Sequence, residues 1–263
     1  MRIAAPKSLA AAPLVLLSAE KEHLCELSFF TDHDVALADL AQGKVDLLCT
    51  GYTEMARLAD PHVHLLLTHC WGLSALVVSD AVSGDAGALF AQPDAELVLP
   101  FAGSPLDMQV RALLAAQKNG HRLKLRNAPL PQTLTAFQQG KITAAVLPEP
   151  MAALLEATAK GRRLADLATL WQRTFGELLT PQVGLFIARR AEEFTPFVTA
   201  FARTVERCSN PEAADVNALA QQLGFPAPIV AEALRHVIFA LPTAADARRL
   251  ETAYLKILDF IMR

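Results

Sequence analysis

The chain has 263 residues, 52% of them hydrophobic, and a formal net charge of −3. This length suits one large domain or two of ordinary size, and the apolar content can fill a substantial core. Because the 24 lysines and arginines are spread along the chain, the sequence shows no basic surface for nucleic acid. It also has no continuous apolar run of about 18 residues, the length that a membrane-spanning helix needs.

The N-terminal stretch allows two interpretations. Arg2 and Lys7, followed by an apolar stretch that ends in small residues, resemble a secretory signal peptide. Alternatively, residues 2–6 form a strand and residues 8–19 form a capped helix. We favour the second interpretation, because the same pattern of strand, turn and helix recurs at 95–119.

Apolar strands alternate with segments of helical periodicity over much of the chain. The first series comprises strands 2–6, 24–28, 45–50 and 63–68 and helices 8–19, 33–42 and 52–59. A second series comprises strands 95–100, 122–127 and 142–147 and helices 104–119, 130–140 and 151–160. Such alternation is typical of an α/β fold with a mostly parallel sheet flanked by helices.

One tripeptide, Gln-Gly-Lys, occurs in both series, at 42–44 and at 139–141. Each copy lies where a predicted helix ends and a predicted strand follows. Gly43 and Gly140 therefore suit the left-handed position that closes a helix. The repetition predicts two α/β lobes of similar construction.

Two segments carry the chain between these lobes. The crossings are predicted near 71–80 and 180–190, the second of them a strand, and only helices are predicted after it, at 191–207, 211–223, 227–239 and 243–262. Lobe 1 is then discontinuous, formed by residues 1–75 and 183–263, and lobe 2 is formed by residues 80–180. A chain that crosses twice and packs its C-terminal helices on the first lobe predicts an interlobe cleft with a hinge at its base.

Three stretches, 46–78, 101–117 and 137–150, resemble blocks of ABC-transporter solute-binding proteins. The branch concerned includes binders of aliphatic sulfonates, nitrate and thiamine-precursor pyrimidines, and the resemblance covers essentially the whole chain. It implies the two-lobed type II periplasmic-binding fold, which closes by hinge motion around one small polar or anionic organic molecule. It further implies a permease as partner, a monomer without cofactor or nucleic acid, and a periplasmic or membrane-anchored extracytoplasmic location.

The resemblance also implies a ligand site. Ligands of open α/β sheets bind beyond the carboxyl ends of strands, where helix N-termini offer unpaired N–H groups and a partial positive charge. Matching the loops of the family to this sequence gives the expected ligand-binding residues Lys7, Ser8, Thr50, Gly51, Tyr52, Trp71, Gly103, Ser104, Pro148 and Glu149.

Several of these residues have a plainer structural interpretation. Ser8 and Ser104 are also good helix caps, and Gly51 suits a tight turn. Lys7 suits a solvated surface. Trp71 either stacks on a planar or apolar part of the ligand or packs at the hinge.

Glu149 bears most directly on the type of ligand. A carboxylate beside an anion site repels a simple anion, so Glu149 favours a ligand with a cationic or hydrogen-bond-donating end, such as an amine or an aminopyrimidine. The alternative is that Glu149 is a first-turn helix residue stabilised by the helix dipole.

Other patterns indicate little chemistry. His62, His64 and His69 have spacing that begins a metal site, but without further matched ligands they are better interpreted as isolated histidines. The basic pairs at 162–163 and 189–190 suit solvated surfaces. The sequence favours free structural cysteines at Cys25, Cys49, Cys70 and Cys208.

The main alternative function is a cytosolic enzyme on the same scaffold, since fold alone does not fix function. Chorismate-dehydrating enzymes and a pyrimidine-forming thiamine enzyme are related in fold. Neither is favoured, because the Cys-rich stretch of the thiamine enzyme has no counterpart and "PKSLAAAP" replaces the Asn expected of the dehydratases. The apparent lack of a leader is the main argument for a cytosolic enzyme.

Overall fold

The computed structural model describes residues 1–20, 24–52, 60, 62–100, 102–117, 123–176, 183–188 and 191–243, with 245, 246, 248, 249 and 252. The chain groups into two compact units, the first built from Met1–Trp71 and Pro181–Arg249 and the second mainly from Gly72–Thr180. Almost all of residues 250–263 lie outside the described residues, so their assignment to the first lobe stays a prediction.

Strands and helices alternate along the described chain. The strands are β1 (Arg2–Pro6), β2 (Glu26–Phe30), β3 (Leu47–Thr50), β4 (His64–Trp71), β5 (Ser74–Val78), β6 (Glu96–Leu99), β7 (Lys124–Asn127), β8 (Ala144–Pro148), β9 (Arg162–Asp166), β10 (Val183–Ile187) and β11 (Ile238–Phe239). The α-helices are α1 (Ala12–Ser18), α2 (His33–Ala41), α3 (Ala86–Ala91), α4 (Pro105–Ala115), α5 (Leu130–Gln138), α6 (Met151–Ala157), α7 (Leu167–Phe175), α8 (Thr195–Ser209), α9 (Ala213–Leu223) and α10 (Ala227–Leu234). Short 3-10 turns at Leu9–Ala11 and Ala191–Phe194 precede α1 and α8.

The first unit has one sheet with the strand order β11-β4-β10-β3-β1-β2. Strand β1 pairs in parallel with β2 and β3, whereas β10 runs antiparallel to β3 and β4. Four strands, β1 to β4, therefore point the same way and end at one edge. Helix α1 is almost completely buried and packs against α8 and α9, which places the main apolar core of this unit around α1.

The second unit repeats this plan in the order β7-β6-β8-β5-β9. Strand β6 pairs in parallel with β7 and β8, and β5 runs antiparallel to β8 and β9. Four strands again share a direction, and the antiparallel one follows a crossing of the chain. The core lies between β5, β6 and β8 and the helices α5 and α6, around residues such as Val77, Val98, Phe137 and Leu155. The predicted α/β class with mostly parallel sheets is confirmed.

Several predicted elements require correction. The strand predicted at 24–28 lies at 26–30, and the helix predicted at 8–19 is a 3-10 turn followed by α1. The prediction of helices alone after 190 is wrong, because α10 ends at Leu234 and β11 pairs with β4. Without β11, that edge of β4 would have no strand partner in the sheet. Strands β5 and β9 and helices α3 and α7 were not predicted, and nearly all of the helix predicted at 52–59 lies outside the described residues.

Both Gln-Gly-Lys copies end a helix in the same way. Gly43 has φ +67° and Gly140 has φ +69°, so both glycines are left-handed as predicted. In each copy the lysine N–H donates a hydrogen bond back into the helix, from Lys44 to Asp39 (2.8 Å) and from Lys141 to Ala136 (2.9 Å). This is the backbone pattern of a Schellman cap.

A third helix end uses the same cap with an unsuitable residue. After α6, Ala159 takes the left-handed position with φ +51°, and the Lys160 N–H donates to the Leu155 carbonyl at 3.1 Å. An L-residue with a Cβ is strained there. The three caps therefore share one backbone pattern, with glycine at the left-handed position in two of them and alanine in the third.

We expect Gly140→Ala to lower the free energy of unfolding by about 1 kcal/mol and Ala159→Gly to raise it by a similar amount. A Cβ built on Gly140 meets no atom within 4 Å, so the expected cost comes from the backbone alone. Urea unfolding measures both changes as shifts of the midpoint at constant slope. If both variants unfolded at the same urea concentration as the wild type, this explanation would be contradicted.

Candidate functional site

In the first unit, the turn after β1 carries two of the predicted site residues. Lys7 is exposed and Ser8 is half-buried. The Ser8 Oγ accepts a hydrogen bond from the Ala10 N–H at 3.3 Å and so caps the 3-10 turn. Ser8 thus has the capping role that the sequence offered as its plainer interpretation, and Lys7 lies at a solvated surface.

The turn after β3 places two buried hydroxyl groups on the sheet. The Thr50 Oγ1 lies 3.3 Å from the His33 Nδ1, and Gly51 is buried beside it. The Tyr52 hydroxyl is hydrogen-bonded to the Thr68 hydroxyl. Thr50 and Tyr52 therefore lie together at the carboxyl edge, with their hydroxyls engaged by neighbouring side chains.

The register of the sheet shows which face these residues share. Thr50 and Thr68 both pair with Gly184 of the central strand β10, one from each side, so their side chains project from the same face. The Tyr52 ring also makes an edge-to-face contact with Phe186, with the ring centroids 5.6 Å apart. The hydroxyls form a short row across three strands.

Trp71 is the last residue of β4 and is 3% exposed. Trp71 pairs with Ile238 on the outer strand. A register shift in the pairing with β10 sets Thr68 opposite Gly184 and Cys70 opposite Val183, so Thr68 and Cys70 face opposite sides of the sheet. Trp71, the next residue, therefore lies on the same face as Thr68. Its indole Nε1 has no hydrogen-bond partner among the described residues. Trp71 is thus a buried part of the edge that contains the hydroxyl row.

In the second unit, the carboxylate of Asp107 lies at the N-terminus of α4. Gly103 is left-handed (φ +76°), and its N–H donates to the Asp107 Oδ2 at 2.8 Å. Ser104 is buried, and its Oγ accepts from the Asp107 N–H at 3.3 Å. Ser104 thus caps the first turn of α4, and the Asp107 carboxylate binds the N–H of Gly103, one residue before the cap.

The Asp107 carboxylate also accepts hydrogen bonds from the Arg111 Nε (3.0 Å) and the Asn127 Nδ2 (3.1 Å). The helix terminus predicted as an anion site thus already contains a buried carboxylate. Asp107 was missed in the sequence, although Ser-x-x-Asp at 104–107 is the spacing of a capping box.

Glu149 follows β8 beside the half-buried Pro148, and its side chain is completely buried. Its Oε2 accepts from the Ala153 N–H at 3.3 Å, so the carboxylate lies at the N-terminus of α6, although Glu149 precedes the helix and is not a residue of its first turn. Its Oε1 lies 2.5 Å from a guanidinium nitrogen of Arg163. The carboxylate is therefore neutralised within the unit.

Arg163 is the centre of an ion-pair cluster in the second unit. Besides Glu149, its guanidinium contacts the carboxylates of Glu156 at 2.9 Å and Asp166 at 2.6 Å. Burial acts to lower the pKa of Arg163, but the charges of Glu149 and Glu156 outweigh it and hold the pKa above its ordinary value. One positive group thus holds three negative groups, which lie after β8, in α6 and at the end of β9.

The prediction that the basic pair at 162–163 is solvated is wrong. The Arg163 side chain is 10% exposed, and the half-buried Arg162 donates to the Val82 carbonyl at 2.7 Å. A charged strand that pairs within a sheet is difficult to distinguish from a surface loop by hydrophobicity, and this is why the sequence did not indicate β9. The pair at 189–190 lies outside the described residues.

We expect Arg163→Met to lower the free energy of unfolding by about 3–5 kcal/mol, because it leaves the buried Glu149 carboxylate without its counter-charge. The matched control is Arg126→Met, since Arg126 pairs with Glu96 at the surface and both side chains are about half exposed. The control should cost less than about 1 kcal/mol. Chemical denaturation of both variants measures the difference, and similar small losses would contradict a structural role for the cluster.

The histidines predicted to be isolated lie in different surroundings. His62 and His64 are exposed, whereas His69 is completely buried, with its Nε2 2.8 Å from the Ala10 carbonyl oxygen and its ring edge-on to Phe201. Burial lowers the pKa of His69 to about 4. All four cysteines are buried and free, as predicted. Within the described part of the chain, no group of three such side chains is arranged to hold a metal ion.

His69 makes the stability of the first unit depend on pH. Its pKa is about 4 in the folded chain and about 6.5 when unfolded, so the unfolded chain binds more protons between these values. We expect the free energy of unfolding to fall by about 3 kcal/mol as the pH decreases from about 6.5 to 4.

Urea unfolding of the wild type and of His69→Gln across this range isolates the effect, since the glutamine amide retains a donor for the Ala10 carbonyl and does not titrate. The variant should lose the part of the pH dependence that His69 contributes. Parallel pH profiles of the two proteins would contradict the assignment.

Comparison with known proteins gives a family and a fold. The family model described as the NMT1-like family matches residues 86–222, just over half of the chain. No curated protein matches the sequence significantly. No helix in the described residues is long and apolar enough to cross a membrane.

Solved structures match over nearly the whole chain. An ABC transporter structure from Parabacteroides distasonis has a TM-score of 0.82 at 16% identity, covering 99% of this chain and 92% of that one. The periplasmic aliphatic sulphonate binding protein SsuA from Escherichia coli has a TM-score of 0.78 at 19% identity, covering 99% and 92%. The alkanesulfonate-binding protein SsuA from Xanthomonas axonopodis pv. citri, bound to MOPS, has a TM-score of 0.72 at 19% identity, covering 100% and 93%. The fold implied by the sequence resemblance is confirmed.

Proposed function

We propose that this chain, which belongs to the NMT1-like family, is the solute-binding component of an ABC importer. In this proposal it captures one small polar or anionic organic molecule at the carboxyl edges of its sheets. The hinge closure, the interlobe cleft, the permease partner and the monomeric state predicted from the sequence are parts of the same proposal. So is a periplasmic or membrane-anchored location.

One observation carries this proposal. The chain consists of two α/β units of the same plan, in each of which the strand that follows a crossing is antiparallel to its neighbours, and this whole arrangement resembles two sulfonate-binding proteins over almost their full length. Such a fold positions loops from several strands at one edge of each sheet. Residues far apart in sequence, including Thr50, Trp71 and Ser104, lie at these edges.

The buried carboxylates of Glu149 and Asp107 are already bound to other groups of the protein, and this favours a binding function over a catalytic one. A general base needs a carboxylate that is available to a proton of the substrate. Glu149 is bound to Arg163 and to a helix N–H, and the Asp107 carboxylate accepts three hydrogen bonds from its own unit. Both carboxylates therefore have a structural role, which suits a site that holds its ligand by preformed polar contacts.

The same contacts change the expected chemistry of the solute. The sequence favoured a cationic or donor-bearing ligand because of Glu149, but the charge of Glu149 is already paired. An oxyanion therefore meets less repulsion than the sequence alone suggested. Sulfonates are the first solutes to test, since two proteins of similar fold are described as sulfonate binders.

The experiment is a thermal-shift screen with MOPS, simple alkanesulfonates, nitrate, amines and pyrimidines. A solute present at 100 times its dissociation constant should stabilise the native state by about 2.7 kcal/mol. Calorimetry of the best solute should give saturable binding, and mass spectrometry should recover the solute unchanged.

Two outcomes would count against this function. No stabilisation by any solute of the panel would remove the support for a binding protein of this branch. Chemical conversion of a bound solute, abolished by Glu149→Gln but not by the surface variant Glu96→Gln, would make the protein an enzyme with a carboxylate base.

A further inference from the structure

The indole N–H of Trp71 has no acceptor among the described residues. The side chain is 97% buried, and its Nε1 has no partner in the part of the chain that the structure describes. A buried donor without an acceptor is costly, and native proteins rarely retain one without a use for it.

The surroundings of Trp71 explain why none of the described groups accepts a hydrogen bond from this donor. The hydroxyls on its face, those of Thr50, Tyr52 and Thr68, are hydrogen-bonded to other side chains. On the outer side, Trp71 pairs with Ile238, whose side chain is apolar. Gly72 follows with φ +74° and turns the backbone away at the end of the strand.

The donor is also in the right place for recognition. Strand β4 points in the same direction as β1 and β3, so Trp71 ends at the carboxyl edge, where open α/β sheets bind ligands. A preformed donor in an apolar setting discriminates strongly, because a ligand without an acceptor leaves that donor unpaired.

We propose that the Trp71 Nε1–H donates a hydrogen bond to an oxygen atom of the bound solute, so that the site selects an oxyanion such as a sulfonate. This inference rests on the proposed solute-binding function. It gives Trp71 an edge-on polar contact, in place of the stacking contact that the sequence suggested. Recognition by an N–H at the ring edge requires the solute to present an acceptor and not a donor.

The first test is spectroscopic and uses MOPS as the probe. The chain contains two tryptophans, so a ¹H–¹⁵N spectrum has two indole resonances, and Trp71→Phe identifies the one from Trp71. On addition of MOPS, the Trp71 resonance should move downfield as its hydrogen bond forms, whereas the Trp171 resonance should stay.

The second test measures affinity and stability together. Trp71→Phe should raise the dissociation constant for MOPS by about 10- to 100-fold, the loss expected for a hydrogen bond to a charged group. The control is Trp171→Phe, since Trp171 is equally buried but packs on Phe175 inside the second unit. It should change the dissociation constant by less than about twofold. Without ligand, Trp71→Phe should be no less stable than the control, because no hydrogen bond is lost.

The outcomes separate this inference from the proposed function. MOPS binding that leaves the Trp71 resonance and the affinity of Trp71→Phe unchanged would overturn the inference and leave the binding function standing. Stabilisation by amines or cationic pyrimidines alone would do the same. If ligand-free Trp71→Phe is much less stable than the control, the indole already has an internal partner such as a bound water, and the inference fails. If no solute of the panel binds, both proposals fail.

Discussion

The direction of the strands is the constraint on which the rest of this structure depends. In each unit four strands run the same way, so the turns that follow them meet at one edge, and the helices after several of these turns direct their N–H groups towards it. The antiparallel strand that follows each crossing, β10 or β5, starts at that same edge. The edge therefore contains the polar groups and also the point at which the chain changes units.

The polar backbone and side-chain groups at these edges need hydrogen-bond partners and counter-charges within the protein itself, whether or not a ligand is bound. The Ser104 and Asp107 pair closes the N-terminus of α4, and Glu149 closes that of α6. Arg163 then compensates Glu149, because a buried carboxylate without a counter-charge is not tolerated in a medium of low dielectric constant. These contacts fix the loops in place and so reduce the entropy that ligand binding must overcome.

Local backbone rules made part of this structure predictable. Gly43 and Gly140 revealed two helix ends and hence the repeat, since a left-handed cap depends on one residue and its immediate neighbours. The free cysteines and most of the apolar strands were also predicted from the local sequence pattern. Contacts between distant residues were not predictable. Arg163 looked like a surface residue because its partner Glu149 is 14 positions away, and β11 was missed because only pairing with β4 makes two residues a strand.

In the candidate site, too, local features were predictable and long-range contacts were not. Its residues were located by matching turns, but their roles depend on partners that lie outside those turns. The side-chain oxygens of Ser8, Ser104 and Glu149 accept hydrogen bonds from helix N–H groups. The Tyr52 hydroxyl is hydrogen-bonded to that of Thr68. Once these internal bonds are formed, the indole N–H of Trp71 is the buried donor at the edge of the first unit without a partner among the described residues. A ligand can shift a conformational equilibrium only through contacts that it makes better in one state than in another. The Trp71 hydrogen bond would form only when the solute is present, so it contributes to affinity, and it shifts such an equilibrium by no more than the difference in that bond between the two states.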